Sequence, residues 1–392
     1  MRAVVLSGGG GKGAYQIGVW KALRKLNYDY RIVTGTSIGA INGLMMAQKS
    51  FYISYYLWNN FDAKKVLGNN FEDTQYIDYV KNFIKTGGVS TDNVEKFVQK
   101  LYNKKKFSNS SIDYGIVTYN FTKLKPCVKT KEELLNDNIT RYIAASATCF
   151  PAFKMLDIDG EKYIDGGYYD SLPINLAIDM GATEVVAIDL DAIGLRKKIK
   201  DSEVKIIYIK PNNEISGFLE FDKLKARRDI KYGYNDTMKK FGKLFGETYT
   251  FYGNILTDKM YGEIKELNEE LLTDKVRITN FKLSKYIKKA STKINFQVIF
   301  DETLEYLLKK CKFDDINIYN AKKISKKIYK EIFSNQNNNM DNYSLKKEQN
   351  ENYRIICIYE MILQKEYKQL RKVINTMHRE FLCALYLYFI QR

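Results

Sequence analysis

The chain is poor in histidine and proline: its 392 residues include one histidine and four prolines. The single histidine, His378, lies close to the C-terminus in a stretch rich in Lys and Arg. A Ser-His-Asp triad needs an imidazole to accept the serine proton. Because this histidine is remote in sequence from every motif of the N-terminal half, we expect serine chemistry in this chain to use another base.

Cysteine usage argues against a disulfide framework and against a metal site. The five cysteines are widely spaced and free of any C-x-x-C pattern; they are Cys127, Cys149, Cys311, Cys357 and Cys383. An odd number of scattered thiols is typical of a reducing compartment, so we expect them to be buried and reduced. The pattern predicts no metal ligands and no cofactor.

Long apolar runs are also missing. A membrane-spanning helix needs about 20 apolar residues, and the longest uncharged apolar run, Phe381–Ile390, falls well short of that length. Met1 and Arg2 lead directly into the apolar segment Ala3–Leu6 and then into glycines, which is unlike a secretory leader. We therefore expect a cytoplasmic protein, with peripheral contact at the inner membrane surface as an open alternative.

Acidic residues are outnumbered, since 63 Lys and Arg against 46 Asp and Glu give a net charge of +17. No nucleic-acid-binding motif accompanies this excess, so we predict no nucleic-acid partner. Runs such as Lys104–Lys106 are typical of solvated faces, whereas a general positive field would attract an anionic lipid surface. The sequence leaves the oligomeric state open.

What the chain does contain is a G-x-S-x-G pattern from Gly35 to Gly39, with Ser37 at its centre. The apolar segment Arg31–Thr34 before it reads as a buried strand, and Ile38–Gln48 after it reads as an apolar helix. Strand, sharp turn and helix are the context of a nucleophile elbow, in which the serine hydroxyl is exposed for attack. An ordinary Gly/Ser turn is the alternative for this pentapeptide taken by itself.

A glycine-rich loop, Ser7–Gly13, follows the first strand and opens a helix that is predicted to run to about Leu26. Unpaired backbone N–H groups at a helix N-terminus stabilise an anion, which includes phosphate and the oxyanion of a tetrahedral acyl intermediate. Lys12 adds a positive charge beside these groups.

The same loop also fits the dinucleotide-binding pattern G-x-G-x-x-G through Gly8, Gly10 and Gly13. That fingerprint needs a carboxylate at the end of the second strand to bind the ribose. Here the second strand ends with Ser37, while the nearby Asp29 precedes the strand. The serine in place of the acid favours the oxyanion interpretation over the nucleotide one.

A third motif, Asp165-Gly166-Gly167, lies further along the chain. By itself such a D-G-G sequence is usually a turn whose aspartate bonds its own backbone. With histidine excluded as a base, however, a carboxylate within reach of Ser37 can accept its proton, despite an ordinary pKa of about 4. Asp165 is our candidate for that base.

Together the three motifs resemble the patatin-like phospholipase family, and the segment Ala144–Phe153 resembles the family's small-residue helix end and Pro-containing loop. The resemblance extends from Met1 to about Gly246. It implies that Ser37 is the nucleophile and Asp165 the base of a histidine-free dyad, with an oxyanion hole at Gly9, Gly10 and Gly11. The supporting motif residues are Gly8, Lys12, Gly13, Gly35, Gly39, Gly166 and Gly167.

The predicted fold class is α/β: a three-layer α/β/α sandwich around a mostly parallel sheet, followed by an all-helical C-terminal region. Predicted strands are Ala3–Leu6, Arg31–Thr34, Gly115–Asn120, Glu184–Leu190 and Val204–Ile209, and Lys123–Lys129 is expected to return antiparallel to the third. Residues 1–250 are the predicted catalytic domain, with a helical insertion at about 42–111 that walls or covers the site. Residues 251–392 form the helical region, interrupted by an Asn-rich tract at 334–342.

The function that these features predict is that of a serine lipid acyl hydrolase of the phospholipase A or lysophospholipase type, acting on membrane lipids or lysolipids without a cofactor. Two alternatives stay open at this point. The chain could pass the acyl group to an alcohol or thiol as a serine acyltransferase, or it could be a catalytically silent membrane-associated scaffold.

Overall fold

A computed structural model of the protein describes residues 1–61, 90–253, 260, 262–264, 296–334 and 350–391. The chain divides into two compact units, Met1–Gly242 and Lys243–Arg392, near the predicted boundary at residue 250. Two predicted features fall partly outside the described residues: the helical insertion, at 62–89, and the Asn-rich tract, beyond residue 334.

The first unit is built on one eight-stranded sheet of mostly parallel strands. Parallel pairing joins the central strands in the order β3, β2, β1, β7, β8, whereas β4, β5 and β6 run antiparallel to their partners. The strands are β1 Arg2–Leu6, β2 Ile32–Thr36, β3 Asp113–Asn120, β4 Lys125–Thr130, β5 Leu156–Ile158, β6 Glu161–Asp165, β7 Glu184–Ile188 and β8 Lys205–Ile209. The predicted antiparallel return after β3 is confirmed by the β3–β4 register.

Helices flank this sheet. They are α1 Gly13–Lys25, α2 Ile38–Ala47, α3 Phe51–Asn59, α4 Asp92–Leu101, α5 Lys104–Ser108, α6 Lys131–Leu135, α7 Ile139–Ser146, α8 Ile174–Asp179 and α9 Lys223–Lys240. Single turns of 3-10 helix occur at Gly10–Lys12 and Gly166–Tyr168.

Alternate residues of β1 bury against helices on opposite faces of the sheet. Ala3 and Val5 belong to a core that includes Ala177 of α8. On the other face, Leu6 lies beside α2, because a Cβ added at Gly43 of that helix would meet the Leu6 side chain at 3.4 Å. Strands covered on both faces read as continuous apolar runs, so the prediction of a mostly parallel sheet between helical layers is confirmed.

The strand β3 brings the carboxyl ends of β2 and β6 together. Thr36 at the end of β2 pairs with Val117, and Asp165 at the end of β6 pairs with the next residue, Thr118. Since β4 occupies the other edge of β3, β2 and β6 lie on the same edge and approach it from opposite directions. The residue after β2 therefore lies next to the last residue of β6.

Helices α1 and α9 cross without intervening side chains. A Cβ added at Gly233 of α9 would collide with the carbonyl oxygen of Tyr15, and one added at Gly18 of α1 would collide with that of Ile230. The Tyr15 hydroxyl then donates to Asp236 at 2.9 Å across the same crossing. The close backbone approach explains why both helices carry glycine at this position.

The second unit has its own hydrophobic core, formed by helices α10 Phe296–Lys310, α11 Ala321–Phe333, α12 Glu351–Leu363, α13 Tyr367–Thr376 and α14 His378–Gln391. Two short parallel strands, β9 Thr250–Tyr252 and β10 Ile318–Asn320, add a small sheet to the predicted helices. Their β-branched and aromatic residues suit extended structure, so the region predicted to be all helical also contains these two strands. Within the described residues, none of the helices is long and apolar enough to cross a membrane.

The α1–α9 crossing predicts a destabilising glycine substitution. Gly233→Ala should lower the free energy of unfolding by at least about 2 kcal/mol, because the added methyl group forces the two backbones apart. In a helix without this contact the same change would stabilise by about 1 kcal/mol. Denaturant unfolding measures the difference, and Lys231→Ala on the exposed side of α9 is the control. A Gly233→Ala protein as stable as the parent would contradict the close crossing.

Candidate active site

Ser37 lies on a strained turn between β2 and α2. Its backbone has φ 59° and ψ −128°, a left-handed conformation that is uncommon for a residue with a side chain. Such strain costs about 1–3 kcal/mol and persists where the surroundings over-determine it. Gly39 supplies part of that constraint, because an added Cβ there would collide with the carbonyl oxygen of Leu6.

Ser146 at the end of α7 holds the backbone of this turn. The amide of Ser37 donates to the Ser146 hydroxyl oxygen at 3.0 Å, and the Ser146 hydroxyl donates to the carbonyl of Val117 at 2.6 Å. Ser146 is fully buried, so water cannot replace it. One hydroxyl thus ties the turn to β3 at the position where β2 ends.

Asp165 lies beside Ser37, as the shared register with β3 requires. Its carboxylate accepts a hydrogen bond from the amide of Gly167 at 2.7 Å, and Ser37 and Asp165 line the same cavity. Burial raises the pKa of Asp165 to about 6, while its interactions with the Ser37 hydroxyl and the Gly167 amide oppose that rise. A carboxyl group with such a pKa is ionised at neutral pH and is a stronger base than a solvated aspartate.

The glycine-rich loop lies over Ser37. A Cβ added at Gly8 would lie 3.2 Å from the Ser37 Cβ, so the two backbones are close neighbours. The amide of Gly8 donates to the carbonyl of Ser171 at 3.0 Å, and that of Gly11 donates to the carbonyl of Phe218 at 2.8 Å. Within the described part of the chain, the amides of Gly9 and Gly10 have no acceptor.

The loop depends on the backbone freedom of glycine and on one side-chain contact. Gly9 and Gly10 have positive φ values of 153° and 55°, which glycine adopts without steric cost. The Lys12 ammonium donates to the carbonyl of Leu190 at 3.1 Å, so its charge is directed at the segment after β7.

A buried chain of hydrogen bonds connects the loop to the helices. The Gln16 amide donates to the carbonyl of Ser7 at 2.8 Å and accepts from the Asn42 amide at 2.8 Å. The Trp58 indole N–H donates to Asn42 at 3.0 Å. Residues of α1, α2 and α3 therefore position the backbone immediately before Gly8.

Cavities open on two sides of Ser37. The larger, of about 650 Å³, is lined in part by Phe150, Tyr168, Ile193 and Leu195, and Asp165 is the one carboxylate among the described residues of its lining. The smaller, of about 80 Å³, is lined mainly by apolar side chains from α2, α3, α4 and the segment Phe218–Phe221. Phe218 and Leu219 line both cavities.

The described part of the predicted insertion contributes to the wall of the smaller cavity, since Trp58 of α3 and Phe97 of α4 line it. The proposed cover over the site is a prediction on residues that the structure does not describe.

Two other side chains that could take part in catalysis, those of Cys149 and His378, differ from Ser37 in reactivity or in location. Cys149 lines the larger cavity, but burial raises the pKa of its thiol to about 12, so it is protonated at neutral pH and a poor nucleophile. His378 begins α14 in the other compact unit.

The structure brings the predicted residues together in one region of the first unit. Gly35 and Gly39 flank Ser37, Gly13 begins α1 beside Ile38, and Gly166 packs on the carbonyl of Val117. Sequence reasoning did not identify several contributors: Ser146, Gln16, Asn42, the cavity wall at Ile193–Leu195, and Phe218 with Leu219. These residues lie far from the motifs in sequence. For Ser146, Gln16 and Asn42 the sequence did offer one signal, because each is a polar residue among the apolar residues of a helix.

Residues 4–178 match the family model described as Patatin-like phospholipase. This segment of the chain therefore belongs to the patatin-like phospholipase family.

Curated relatives carry corresponding names. The chain is 28% identical over 193 residues to Lysophospholipase nte1 of Aspergillus terreus, a match that covers 48% of this chain and 12% of that protein. It is 29% identical over 190 residues to human Patatin-like phospholipase domain-containing protein 6, covering 48% of this chain and 13% of the relative. The chain thus matches a small part of much longer proteins.

Among solved structures, VipD from Legionella pneumophila is similar over 99% of this chain and 91% of that one. The sequence identity is 15% and the TM-score is 0.39, which is too low to support any statement about function. The relatives are named as phospholipases and lysophospholipases, which are hydrolases.

Ser146 gives a prediction on the stability of the elbow. Ser146→Ala should lower the free energy of unfolding by about 1–3 kcal/mol, because it leaves the buried Ser37 amide without an acceptor. Ser202→Ala, at an exposed position, is the matched control and should change stability by less than about 0.5 kcal/mol. Equal stability of the two variants in denaturant titrations would show that the Ser146 hydroxyl does not hold the turn.

The raised pKa of Asp165 predicts how stability depends on pH. Because the pKa is about 6 in the folded protein, above its ordinary value of 3.8, the folded state binds this proton more tightly than the unfolded state. Its contribution is therefore fully present below about pH 4 and is lost as pH rises through 6.

Asp165→Asn removes this loss. Relative to the parent, the variant should gain up to about 3 kcal/mol in unfolding free energy between pH 4 and pH 7.5. Denaturant titrations at the two pH values measure the change, and a constant difference between the proteins would contradict the raised pKa.

Proposed function

We propose that this chain is a serine lipid acyl hydrolase of the phospholipase A or lysophospholipase type that uses Ser37 and Asp165 as a catalytic dyad. The observation that carries the proposal is the position of Ser37 beside Asp165, a buried carboxylate that lines the same cavity and whose pKa burial raises to about 6. Membership of the segment 4–178 in a phospholipase family supports the choice of an ester substrate.

In the first half of the reaction Ser37 Oγ attacks the ester carbonyl carbon while its proton passes to the Asp165 carboxylate. The tetrahedral intermediate then collapses, and Asp165 returns the proton to the oxygen of the departing alcohol. The product is an acyl ester on Ser37. In the second half Asp165 takes a proton from water, the hydroxide attacks the acyl carbon, and the fatty acid leaves as the proton returns to Ser37.

The oxyanion is assigned to the amides of Gly9 and Gly10. Both lie beside Ser37 and neither has an acceptor among the described residues. Gly11, which the family resemblance also placed in this role, already donates to Phe218, so we assign it to holding the loop. Preorganised donors of this kind contribute about 3–4 kcal/mol each to the reaction.

The lining of the cavities favours an apolar acyl group. The smaller cavity is lined mainly by aliphatic and aromatic side chains, and Asp165 is the charged residue in the lining of the larger one. Burying an acyl chain against such side chains is favourable by about 25 cal/mol for each Å² of apolar surface removed from water. Membrane lipids or lysolipids are accordingly the proposed substrates, cleaved without a cofactor.

A fluorophosphonate probe tests the nucleophile and the base together. The parent should be labelled at Ser37, Ser37→Ala should not be labelled, and Asp165→Asn should be labelled at least about 100-fold more slowly because the base is lost. Labelling of the parent should rise with pH around a midpoint of about 6, since the ionised carboxylate is the active form. Mass spectrometry of the labelled peptide and labelling rates across pH measure these effects.

Asp170→Asn is the matched control for the pH profile. Burial also raises the pKa of Asp170 to about 6, but its carboxylate accepts from the amide of Leu172 at 3.2 Å. This variant should keep the midpoint. An unlabelled parent would favour the silent scaffold, and a profile that is lost in Asp170→Asn would reject Asp165 as the base.

Product analysis separates hydrolysis from acyl transfer. With a phospholipid and an added alcohol, the proposal expects free fatty acid as the main product. A new ester that greatly exceeds fatty acid would identify an acyltransferase in place of a hydrolase.

A further inference from the structure

The rim of the larger cavity carries apolar side chains that point into solvent. Ile193 is 90% exposed, Leu195 60%, Tyr168 44% and Phe150 37%. All four line the larger cavity, which also contains Ser37 and Asp165, so exposed apolar side chains are grouped around its opening. Isolated exposed apolar residues are ordinary, whereas a patch around one opening marks an interaction surface.

Backbone hydrogen bonds hold this rim in its exposed position. Leu195 donates to the carbonyl of Gly167 at 2.9 Å and accepts from the amide of Ser171 at 2.7 Å. On the opposite side, the Tyr168 hydroxyl donates to the carbonyl of Phe150 at 2.6 Å. Main-chain hydrogen bonds therefore hold the backbone of Leu195 in place while its side chain and that of the nearby Ile193 stay exposed.

A buried ion pair fixes the base of the same segment. The fully buried carboxylate of Asp189 accepts two hydrogen bonds from the Arg196 guanidinium, each of 2.7 Å, and pairs with Lys210 at 2.8 Å. These contacts hold the pKa of Asp189 below its usual range, against the effect of burial. The loop between Asp189 and Arg196 is thus anchored at both ends.

Positive charge accompanies the patch. Lys197 follows the rim directly, with its ammonium 3.8 Å from the centre of the Tyr169 ring, and Lys154 follows the rim segment Phe150–Phe153. Neither lysine forms an ion pair among the described residues, whereas the exposed Asp191 is paired with Arg196 at 3.5 Å. Apolar tips beside lysines that form no ion pair within the described part of the chain complement the headgroup region of an anionic bilayer.

We propose that the rim formed by Phe150, Tyr168, Ile193 and Leu195 docks on an anionic lipid bilayer, so that the larger cavity opens onto the membrane that holds its substrate. The proposal deepens the proposed function and rests on it for the choice of a lipid. An acyl chain would then pass from the bilayer into the cavity along apolar surface without crossing water. The net charge of +17 would add a general attraction to such a surface.

The test measures binding to vesicles of mixed phosphatidylcholine and phosphatidylglycerol by co-sedimentation. Every variant is made in a Ser37→Ala full-length chain, so that hydrolysis does not alter the vesicles. Ile193→Asp and Leu195→Asp should each lower the partition coefficient at least about tenfold, because a charge replaces an inserted apolar tip. Leu124→Asp is the matched control, since Leu124 is 70% exposed in the β3–β4 turn and lines neither cavity.

A charge reversal tests the anionic requirement. Lys197→Glu should weaken binding several-fold, and the effect should shrink when phosphatidylglycerol is left out or salt is raised. Lys25→Glu, at an exposed position at the end of α1 that lines neither cavity, should leave binding unchanged.

Rim variants that bind as tightly as the Ser37→Ala parent would overturn the proposal. A second outcome would also overturn it: a rim variant that binds vesicles as before but is a monomer in light scattering, where the Ser37→Ala parent is a dimer. The rim would then join two copies of the chain. Thermal unfolding confirms that each variant is folded, and Ile193→Asp, at the more exposed tip, guards against a folding defect in Leu195→Asp.

The vesicle-binding test and the test of lipid hydrolysis can fail independently. If rim variants lose binding while the wild-type chain releases no fatty acid, docking stands and the hydrolase proposal fails. If the wild-type chain hydrolyses lipid while rim variants bind normally, the hydrolase stands and docking fails.

Discussion

The register of β3 is the constraint on which the candidate site depends. Consecutive residues, Val117 and Thr118, pair with Thr36 of β2 and Asp165 of β6, which makes the residue after β2 meet the last residue of β6. Because side chains alternate between the faces of a sheet, a slip of one residue in either strand would turn Asp165 away from Ser37. The contact between hydroxyl and carboxylate is therefore a property of backbone pairing, and the apolar faces of the strands maintain it.

The same arrangement holds two groups that lower the stability of the fold. A strained serine backbone and a buried carboxylate both lower stability, the first through its left-handed φ and the second through desolvation. Their surroundings offset part of this cost with hydrogen bonds from Ser146 and Gly167 and with the close packing at Gly39. In the proposed mechanism both costs are useful, since the strain exposes the hydroxyl and the desolvation makes the carboxylate a better base.

Sequence patterns predicted those parts of the molecule that follow from local rules. Apolar runs marked the central strands, and two glycines around Ser37 marked the turn because a Cβ at either position would collide with backbone. Asp165 was predicted by elimination of histidine together with the family resemblance. The engagement of the Gly11 amide by Phe218 was not predictable, since it joins residues far apart in sequence that carry no polar side chain.

Contacts over long sequence distances also explain why the sequence analysis did not predict the cavity rim and the small second sheet. The rim residues Ile193 and Leu195 lie in a loop whose composition is ordinary, and its exposure follows from backbone bonds to Gly167 and Ser171. In the second unit, the residues of β9 pair with a segment almost 70 positions later, and no local pattern encodes such a pairing. Long-range pairing of this kind is set by tertiary packing, which overrides local propensity.

The buried network from Trp58 to Ser7 gives the two sides of the site a common support. Trp58 lines the smaller cavity, and through Asn42 and Gln16 it is bonded to the backbone that precedes the glycine loop. A polar network in an apolar core stabilises a single arrangement when every member has its partners, because any displacement would leave a buried group unpaired.

The wall that would contact an acyl chain and the loop that would hold the oxyanion are consequently positioned by the same hydrogen bonds. Substrate binding and transition-state stabilisation in the proposed reaction would then share one rigid frame. This is the condition under which binding energy at a remote part of the substrate contributes to the rate of the chemical step.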